Sequence, residues 1–481
     1  FLAKTAIIIA ALAFCLFLQP LLYGFYPIAA TKRVRICAKL VKNSDKVRFN
    51  RPLKKRTIMN ILTPQTVVII GGGNVGLSFA LLLADKGISS TLLEKANYPT
   101  ISPDDDLDRA QFDSRNIALS RRTVQIYNSM TFNGKALWDD LQSHACRIDE
   151  VSISEEGSFG KATLNKHAEG VESFGQVMEN AWLGKKLLLA VQNNPLITLL
   201  DGATLTDIQQ TATDVTIRFD QAHQARQTLT ADLLVACDGQ NSPSRKLLGI
   251  GATAHDYHQV GVVGVVMTDK PHHHQAIERF NKMGAVAVLP LVDAFDIGQG
   301  DGRQAQQGYR RSVVWVCPKG EEQRYLDDDE YFLDTIQQAF GSLAGRFVKA
   351  GKRGAYPLVK ILAYSQVKGR CVIMGNAAHT LHPVAGQGFN LCMRDADTLA
   401  KMLAQQVMRG EDIGDSRMLQ TYAKRRKADQ KRVEIFCDTV VYGFMHQNPL
   451  LKIARNVGLI AFDKVPFVKP AVATFAMGLK S

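Results

Sequence analysis

Three apolar runs set the plan of this chain. Residues 67–70, the strand-like part of ADLLVACDG (231–239) and residues 371–374 are apolar throughout and each leads into glycine, the pattern of strands buried on both faces of a parallel sheet. After the first run, Leu77, Ala80, Leu81 and Ala84 recur at helical spacing, Gly87 supplies a stop, and residues 90–93 begin again as a strand. Helical periodicity returns in DSRNIALSRRTVQIYNSM (113–130) and in residues 178–193, and Trp138 and Leu141 close the layer between them. Residues 151–154 and 196–200 read as strands, and 214–219 alternate like a solvated hairpin strand. From about 256 the style changes. The runs 261–267, 285–291 and 312–317 are strand-like and joined by turns without a crossover helix, which predicts a separate, largely antiparallel sheet. Helices are expected at 328–340 and after the third run, where Ala396, Leu399 and Leu403 mark one face. Residues 99–106, with Pro99, Pro103 and Asp104 to Asp106, are a loop, and the glycine-rich stretch 297–309 is a mobile insertion between two strands.

The expected fold class is therefore α/β. A Rossmann-like lobe is assembled from residues 64–150, 176–255 and 355–410. A second lobe on the antiparallel sheet takes 151–175 and 256–354, and 411–481 form a C-terminal helical segment.

Charge changes this picture only at one end. The 481 residues carry a formal +13, which suggests nucleic acid or a membrane until it is located. Residues 1–58 hold 12 Lys and Arg against one acid, Asp45, leaving +2 for the remainder, so nucleic acid drops out as a partner. Residues 5–31 are uncharged, mostly apolar and long enough to span a bilayer, and Lys32, Arg33 and Arg35 follow them. Two readings stand. One is an N-terminal anchor whose basic flank keeps the body in the cytoplasm. The other, which we prefer, sets 1–58 aside as an upstream extension outside the working protein, because Met59 lies 12 residues before Gly71, the usual lead-in to such a first strand. Either way the expected location is cytoplasmic, with the inner membrane face reached peripherally or through the N-terminal segment.

Cys15, Cys37, Cys146, Cys237, Cys317, Cys371, Cys392 and Cys437 are scattered without a C-x-x-C pair, which argues against zinc and against a disulfide framework. His272, His273 and His274 follow the turn former Pro271 and read as a solvated loop, so no metal is expected.

The chemistry lies in the glycines. Gly71, Gly73 and Gly76 fit G-x-G-x-x-G: the first allows the tight turn, the second a close approach to pyrophosphate, the third the packing of helix on strand. Glu94, 18 positions after Gly76, closes the next strand. Its carboxylate can accept both ribose hydroxyls and would repel a 2′-phosphate, which favours FAD or NAD over NADP. Asp238 and Gly239 stand at the carboxyl end of a strand, where ligands of open α/β sheets bind, and Gly375 and Asn376 stand likewise. Between Pro383 and Asn390 a glycine-rich turn meets a helix N-terminus, offering N–H groups and a positive dipole end to an anion or to a ring that becomes anionic on reduction.

Together, GGGNVG with Glu94, ACDGQNSPSR and GNAAHTLHPVAGQGFNL resemble the three fingerprints of the flavin-dependent aromatic hydroxylases of the para-hydroxybenzoate hydroxylase fold, in the branch acting in ubiquinone biosynthesis. ERFNKMGAVAVLPL, AGKRGAYPL and GQGFNLCMRDADTLA extend the likeness over about residues 64 to 470. The resemblance implies that Gly71, Gly73, Gly76 and Glu94 bind the ADP half of FAD, and that Arg115 lies near the phosphates and ribityl chain. It implies that Asp238 and Gly239 touch FAD and help pass the nicotinamide cofactor, and that Pro383, Gly386, Gln387, Gly388 and Asn390 surround the isoalloxazine. Where the family has Asp after its glycine to bind ribityl or ribose hydroxyls, this chain has Asn376; an amide still donates and accepts, so FAD binding survives with less charge.

The activity so implied is hydroxylation of a polyprenylated phenol of the 2-polyprenyl-6-methoxyphenol type. NADH or NADPH reduces FAD, O₂ gives the C4a-hydroperoxyflavin, and the protein supplies orientation and dryness. No second G-x-G-x-x-G appears, which counts against a pyridine-nucleotide–disulfide type of reductase. The antiparallel strands would roof the phenol site. No base for the phenol emerges; His379 and His382 are candidates, each equally readable as a histidine bonded to backbone. The rival readings are another flavin reaction on this scaffold, such as prenyl-chain reduction or attack at another ring position, and a non-catalytic subunit that holds FAD. Other ubiquinone-biosynthesis enzymes are further expected partners.

Overall fold

The computed structural model describes residues 66–99, 115–132, 134–158, 160–221, 226–281, 284–293, 308–445, 449–464 and 468–479. The extension 1–58, the acidic stretch 104–106 and most of 297–309 lie outside the described residues.

The chain opens with β1 (Thr66–Ile70), α1 (Asn74–Ala84) and β2 (Ser89–Leu93), then β3 (Asn116–Ser120) and α2 (Arg121–Ser129). A two-residue hairpin, β4 (Thr131–Phe132) and β5 (Lys135–Ala136), leads to α3 (Leu137–Leu141), β6 (Cys146–Ile148), β7 (Glu150–Glu155), β8 (Lys161–Asn165) and β9 (Gly175–Glu179). The lobe of the parallel sheet resumes with α4 (Asn180–Gln192), β10 (Ile197–Leu200), the meander β11 (Ala203–Gln210), β12 (Val215–Gln221) and β13 (Gln227–Ala231), then β14 (Leu233–Ala236) and α5 (Pro243–Leu247). The second lobe contains β15 (Ala252–Thr268), β16 (Gln275–Phe280), β17 (Ala285–Pro290), β18 (Tyr309–Pro318), α6 (Glu322–Asp327), α7 (Asp329–Phe340) and β19 (Phe347–Ala363). The short strands β20 (Val367–Lys368), β21 (Cys371–Ile373) and β22 (His379–Thr380) precede α8 (Gln387–Arg409), α9 (Ser416–Met445), α10 (Pro449–Lys464) and α11 (Val468–Ala476).

The three apolar runs become neighbours. In the six-stranded sheet, order β10-β2-β1-β14-β21-β20, β1 lies between β2 and β14, and β14 pairs with β21, all in parallel. Val67 and Ile69 pack into the core under α1, while Val68 and Ile70 serve a second core on the opposite face, which is why the run is apolar at every position. The second sheet, order β22-β19-β15-β18-β17-β16-β7-β8, is antiparallel except where β16 meets β7. A three-stranded sheet, β3-β9-β6, joins the two lobes.

Three details depart from the pattern reading. The helical stretch expected at 113–130 begins only at Arg121, because residues 116–120 pair antiparallel with β9, and Ser120 Oγ caps the helix by accepting the Thr123 N–H. The large sheet runs past the division drawn at 354, since β19 continues to Ala363. The histidine run is a turn, with His273 exposed as expected, but His272 is not solvated. His272 is buried, donates from Nε2 to the Leu291 carbonyl at 3.0 Å and accepts the His274 N–H on Nδ1 at 3.0 Å. The ligand atoms of Cys146, His272 and His274 lie within 4.8 Å of one another. Both ring nitrogens of His272 are already used, and burial followed by the nearby Arg311 charge pushes its pKa down to about 4. His272 is therefore held as a neutral, hydrogen-bonded ring beside Cys146 and His274.

The large sheet is covered on one face by α7 and on the other by α9, α11 and segments of the parallel-sheet lobe. Among the described residues no helix is long and apolar enough to cross a membrane.

Candidate active site

At the first fingerprint the glycines do different work. Gly71 has φ +99°, and a Cβ there would sit 2.6 Å from the Cys237 carbonyl oxygen; at Gly76 it would sit 1.9 Å from the Gly71 oxygen. Gly73 has nothing within 4 Å of a Cβ position and caps α1 without a side-chain bond, so the helix N-terminus faces open space. That cradle fits a pyrophosphate. Glu94 accepts the Gly72 N–H on Oε2 at 2.6 Å and the Ala96 N–H on Oε1 at 3.0 Å, which holds its carboxylate beside the same turn.

The second and third fingerprints are tied together. Asp238 accepts the Ser242 hydroxyl and the Ser244 N–H, the latter at 2.9 Å, and so pins the turn that starts α5. Gly239, at φ +80°, has open space around its Cβ position. Arg245, 8% exposed, donates to the Ala377 carbonyl at 2.8 Å and to the Gln240 carbonyl at 2.9 Å. It clamps the Asp-Gly turn to the segment carrying Gly375 (φ +65°) and the exposed Asn376. In the sequence Arg245 is simply the last residue of ACDGQNSPSR; its partner Ala377 is 132 positions away and offers a carbonyl, which has no sequence signature.

The loop from Pro383 to Asn390 is shaped chiefly by its last residue. Asn390 donates to the Ala118 and Gly386 carbonyls, both at 2.8 Å, and accepts the Ser120 N–H at 2.8 Å and the Thr123 hydroxyl at 2.7 Å. All four positions are used by protein, so Asn390 acts on the loop's shape. Gly386 takes a left-handed φ of +60° as the N-cap of α8, with its Cβ position 3.3 Å from Ala118, while Gly388 faces open space. Gln387 reaches the Ala476 carbonyl of α11 at 3.3 Å. The Arg115 guanidinium stacks 4.5 Å over the Tyr356 ring of the large sheet, and Asn116 donates to the Gly264 carbonyl at 3.3 Å, bringing β3 against that sheet's inner face.

The two histidines part company. His379 bonds Asp395 at 2.6 Å through Nε2, and Asp395 is also held by Arg426 and by Gln430 at 3.0 Å. Burial alone would raise the Asp395 pKa, but Arg426 and His379 outweigh it and hold the carboxyl low. His379 thus belongs to an ion network that continues to Asp429 and Arg394. His382 accepts the Val384 N–H at 3.3 Å, lies edge-on to Tyr257 at 5.1 Å, and is pushed by burial to a pKa of about 4, so it is neutral at ordinary pH.

With this geometry in view, the comparisons agree in kind. A family model described as FAD binding domain matches residues 65–436. The chain is 28% identical to the 3-demethoxyubiquinol 3-hydroxylase of Escherichia coli K12 over 421 residues, 86% of this chain and 99% of that protein. It is 28% identical to the ubiquinone hydroxylase UbiL of Rhodospirillum rubrum over 416 residues, 86% of this chain and 89% of that one. Among solved structures, p-nitrophenol 4-monooxygenase PnpA from Pseudomonas putida DLL-E4 superimposes with TM-score 0.65 at 18% identity, covering 87% of this chain and all of that one. Klebsiella pneumoniae HpxO complexed with FAD and uric acid gives 0.63 at 16%, covering 86% and 99%; both show the fold. The chain belongs to the FAD binding domain family, as an FAD-dependent aromatic hydroxylase of the para-hydroxybenzoate hydroxylase fold.

Proposed function

We propose that this chain uses NADH or NADPH and O₂ to hydroxylate the ring of a polyprenylated phenol in ubiquinone biosynthesis, by the chemistry that FAD supplies when bound. The carrying observation is the apolar inner face of the large sheet, where Val263, Ala287 and Val314 stay partly exposed. It lies beside the glycine loop that Asn390 ties to β3. The named activities of the two relatives support a prenylated phenol over a polar one.

On this reading Gly71, Gly73, Gly76 and Glu94 hold the adenosine pyrophosphate half of FAD. Arg115 and Asn376 face the ribityl region, and Asp238 with Gly239 keeps the adjoining turn in place for flavin and nicotinamide. Pro383, Gly386, Gln387 and Gly388 bring backbone N–H groups and the α8 dipole to the ring. The inner-face side chains exclude water and lay the phenol flat. The test is product analysis after incubating the FAD-loaded protein with a short-chain prenylphenol, NADH or NADPH, and O₂. A hydroxylated phenol is expected; NAD(P)H oxidation that yields only H₂O₂ with every prenylphenol tried would overturn the assignment.

A further inference from the structure

Residues paired across a sheet share a face, so the cross-strand registers define rows. One row on the inner face runs Ile153, Glu278, Ala287, Val314 and Val263, across β7, β16, β17, β18 and β15. To one side of it Phe280, Val316 and Leu358 pack with Val384 of the glycine loop. To the other side Ala276, Leu289 and Val265 pack with Ala118 of β3, the residue that Gly386 approaches. Val263, Ala287 and Val314 are partly exposed and belong to neither cluster. Ile153 at one end of the row packs into the first cluster, while Val263, Ala287 and Val314 lie between the two clusters, which include the segments proposed to border the flavin ring.

Glu278 is the one ionisable side chain on that row. It is half-buried, and among the described residues its carboxylate makes no hydrogen bond and no ion pair. Its charged neighbours are spoken for. Glu155, on the flanking row, is paired with Arg455 of α10 at 2.5 Å, and Asp438 of α9 is paired with Lys360 at 2.7 Å. Glu434 of α9 lies by Lys431 at 2.9 Å, and Arg279 points to the opposite face, where it donates to the Phe340 carbonyl at 3.3 Å. Cys437 of α9 is pushed by burial, then by Asp438 and Glu278, to a pKa of about 12, and stays a thiol.

We propose that Glu278 is a catalytic base, the group that accepts the hydroxyl proton of the phenol. This rests on the hydroxylase reading above. One proton passes from the phenol oxygen to a Glu278 carboxylate oxygen, leaving a phenolate whose ring is richer in electrons at the carbon to be oxygenated. The proton returns to that oxygen when the hydroxylated ring loses its carbon-bound hydrogen to water and becomes aromatic again. No electrons move through Glu278. Desolvation alone pushes its pKa up to about 7, close to the working pH, where a base is most effective. A half-buried carboxylate with no partner, facing partly exposed apolar side chains, adds nothing to cohesion, and its place on this face points to use.

The test compares the full FAD-loaded chain with E278Q and E278D, using a short-chain prenylphenol. In the wild type the rate of hydroxylation should rise with pH through about 7. E278Q should lose that limb and fall about 100-fold, the low end for a positioned base, with flavin content unchanged. E278D should keep the limb at a lower rate. Stability supplies a second readout. A carboxyl whose folded pKa of about 7 exceeds its ordinary 4.5 costs stability as pH rises through that window, so E278Q should melt higher than the wild type at about pH 8 and level with it at about pH 4. E278Q with the wild-type rate and pH limb would overturn the role of Glu278 alone, as would equal melting at both pH values. A wild type that hydroxylates no prenylphenol would overturn both readings.

Discussion

The large sheet has two faces drawn from alternate residues of the same strands, and they are finished differently. Under α7, Val262, Val286, Val313 and Trp315 are 0–1% exposed and meet Phe332, Ile336 and Phe340 in a closed core. One position along each of three of these strands, Val263, Ala287 and Val314 remain partly exposed, with Glu278 among them. Because a strand's side chains alternate with period two, one segment can serve cohesion and chemistry with no side chain shared between them. Substitutions should therefore sort by parity along the strand.

The sharpest way to break that contrast is a neighbouring pair. Trp315→Ala should destabilise the chain by about 3–5 kcal/mol, as removal of a large buried aromatic does, whereas Val314→Ala should cost less than about 1 kcal/mol. Equal losses in urea unfolding would erase the distinction. Gly388→Val fills the open space by the loop and should cut product per NAD(P)H about 100-fold, the scale of an ångström of misplacement, while H₂O₂ rises and the melting temperature holds. Wild-type coupling in that variant would remove the 383–390 loop from the flavin. Glu94→Ala should weaken FAD by about 1–3 kcal/mol in a fluorescence titration, again with little change in melting of the apoprotein. An unaltered affinity would take Glu94 out of the site.

The smallest effect concerns acid. His382 has a folded pKa of about 4, below its ordinary 6.5, so the fold favours the neutral ring and stability is lost as pH falls from about 6.5 towards 4. His382→Gln should remove about 1–2 kcal/mol of that loss, leaving the share due to His272, which is depressed in the same way. An unchanged acid slope in the variant would show that His382 is not held neutral.

Much of this was legible because local rules agreed. The run 67–70, the glycines and Glu94 announce strand, turn, helix and acid within thirty positions of one another, and all are neighbours in the fold. What escaped depends on partners far along the chain. Residues 116–120 carry little strand signal and become a strand by pairing with β9. His272 is drawn inside by a carbonyl 19 residues away and His274 by a cysteine 128 away. Asp395, about which the sequence pattern says nothing, is fully buried and paired with Arg426, 31 positions on. Glu278 stands in QAIERF, whose mixed polarity gives no strand signal, and only the cross-strand register shows that it shares a face with Ala287, Val314 and Val263.

The interleaving of the six-stranded sheet has a consequence for how the molecule is made. β1 and β2 are early strands of the chain, yet β14 is completed only by β21, at Cys371–Ile373, and most of the large sheet, β15 to β19, emerges between β14 and β21. A nascent chain that has produced β1, β2, β10 and β14 therefore carries an apolar strand with one unmatched edge for the time it takes to synthesise more than a hundred further residues. Such pairing across long sequence separations is slow to form, and the last fingerprint arrives with the strand that closes the sheet. If the third fingerprint holds flavin as proposed, capture comes only near the end of synthesis: ribosome-bound chains halted before Cys371 should be colourless, and those released beyond α9 should turn yellow.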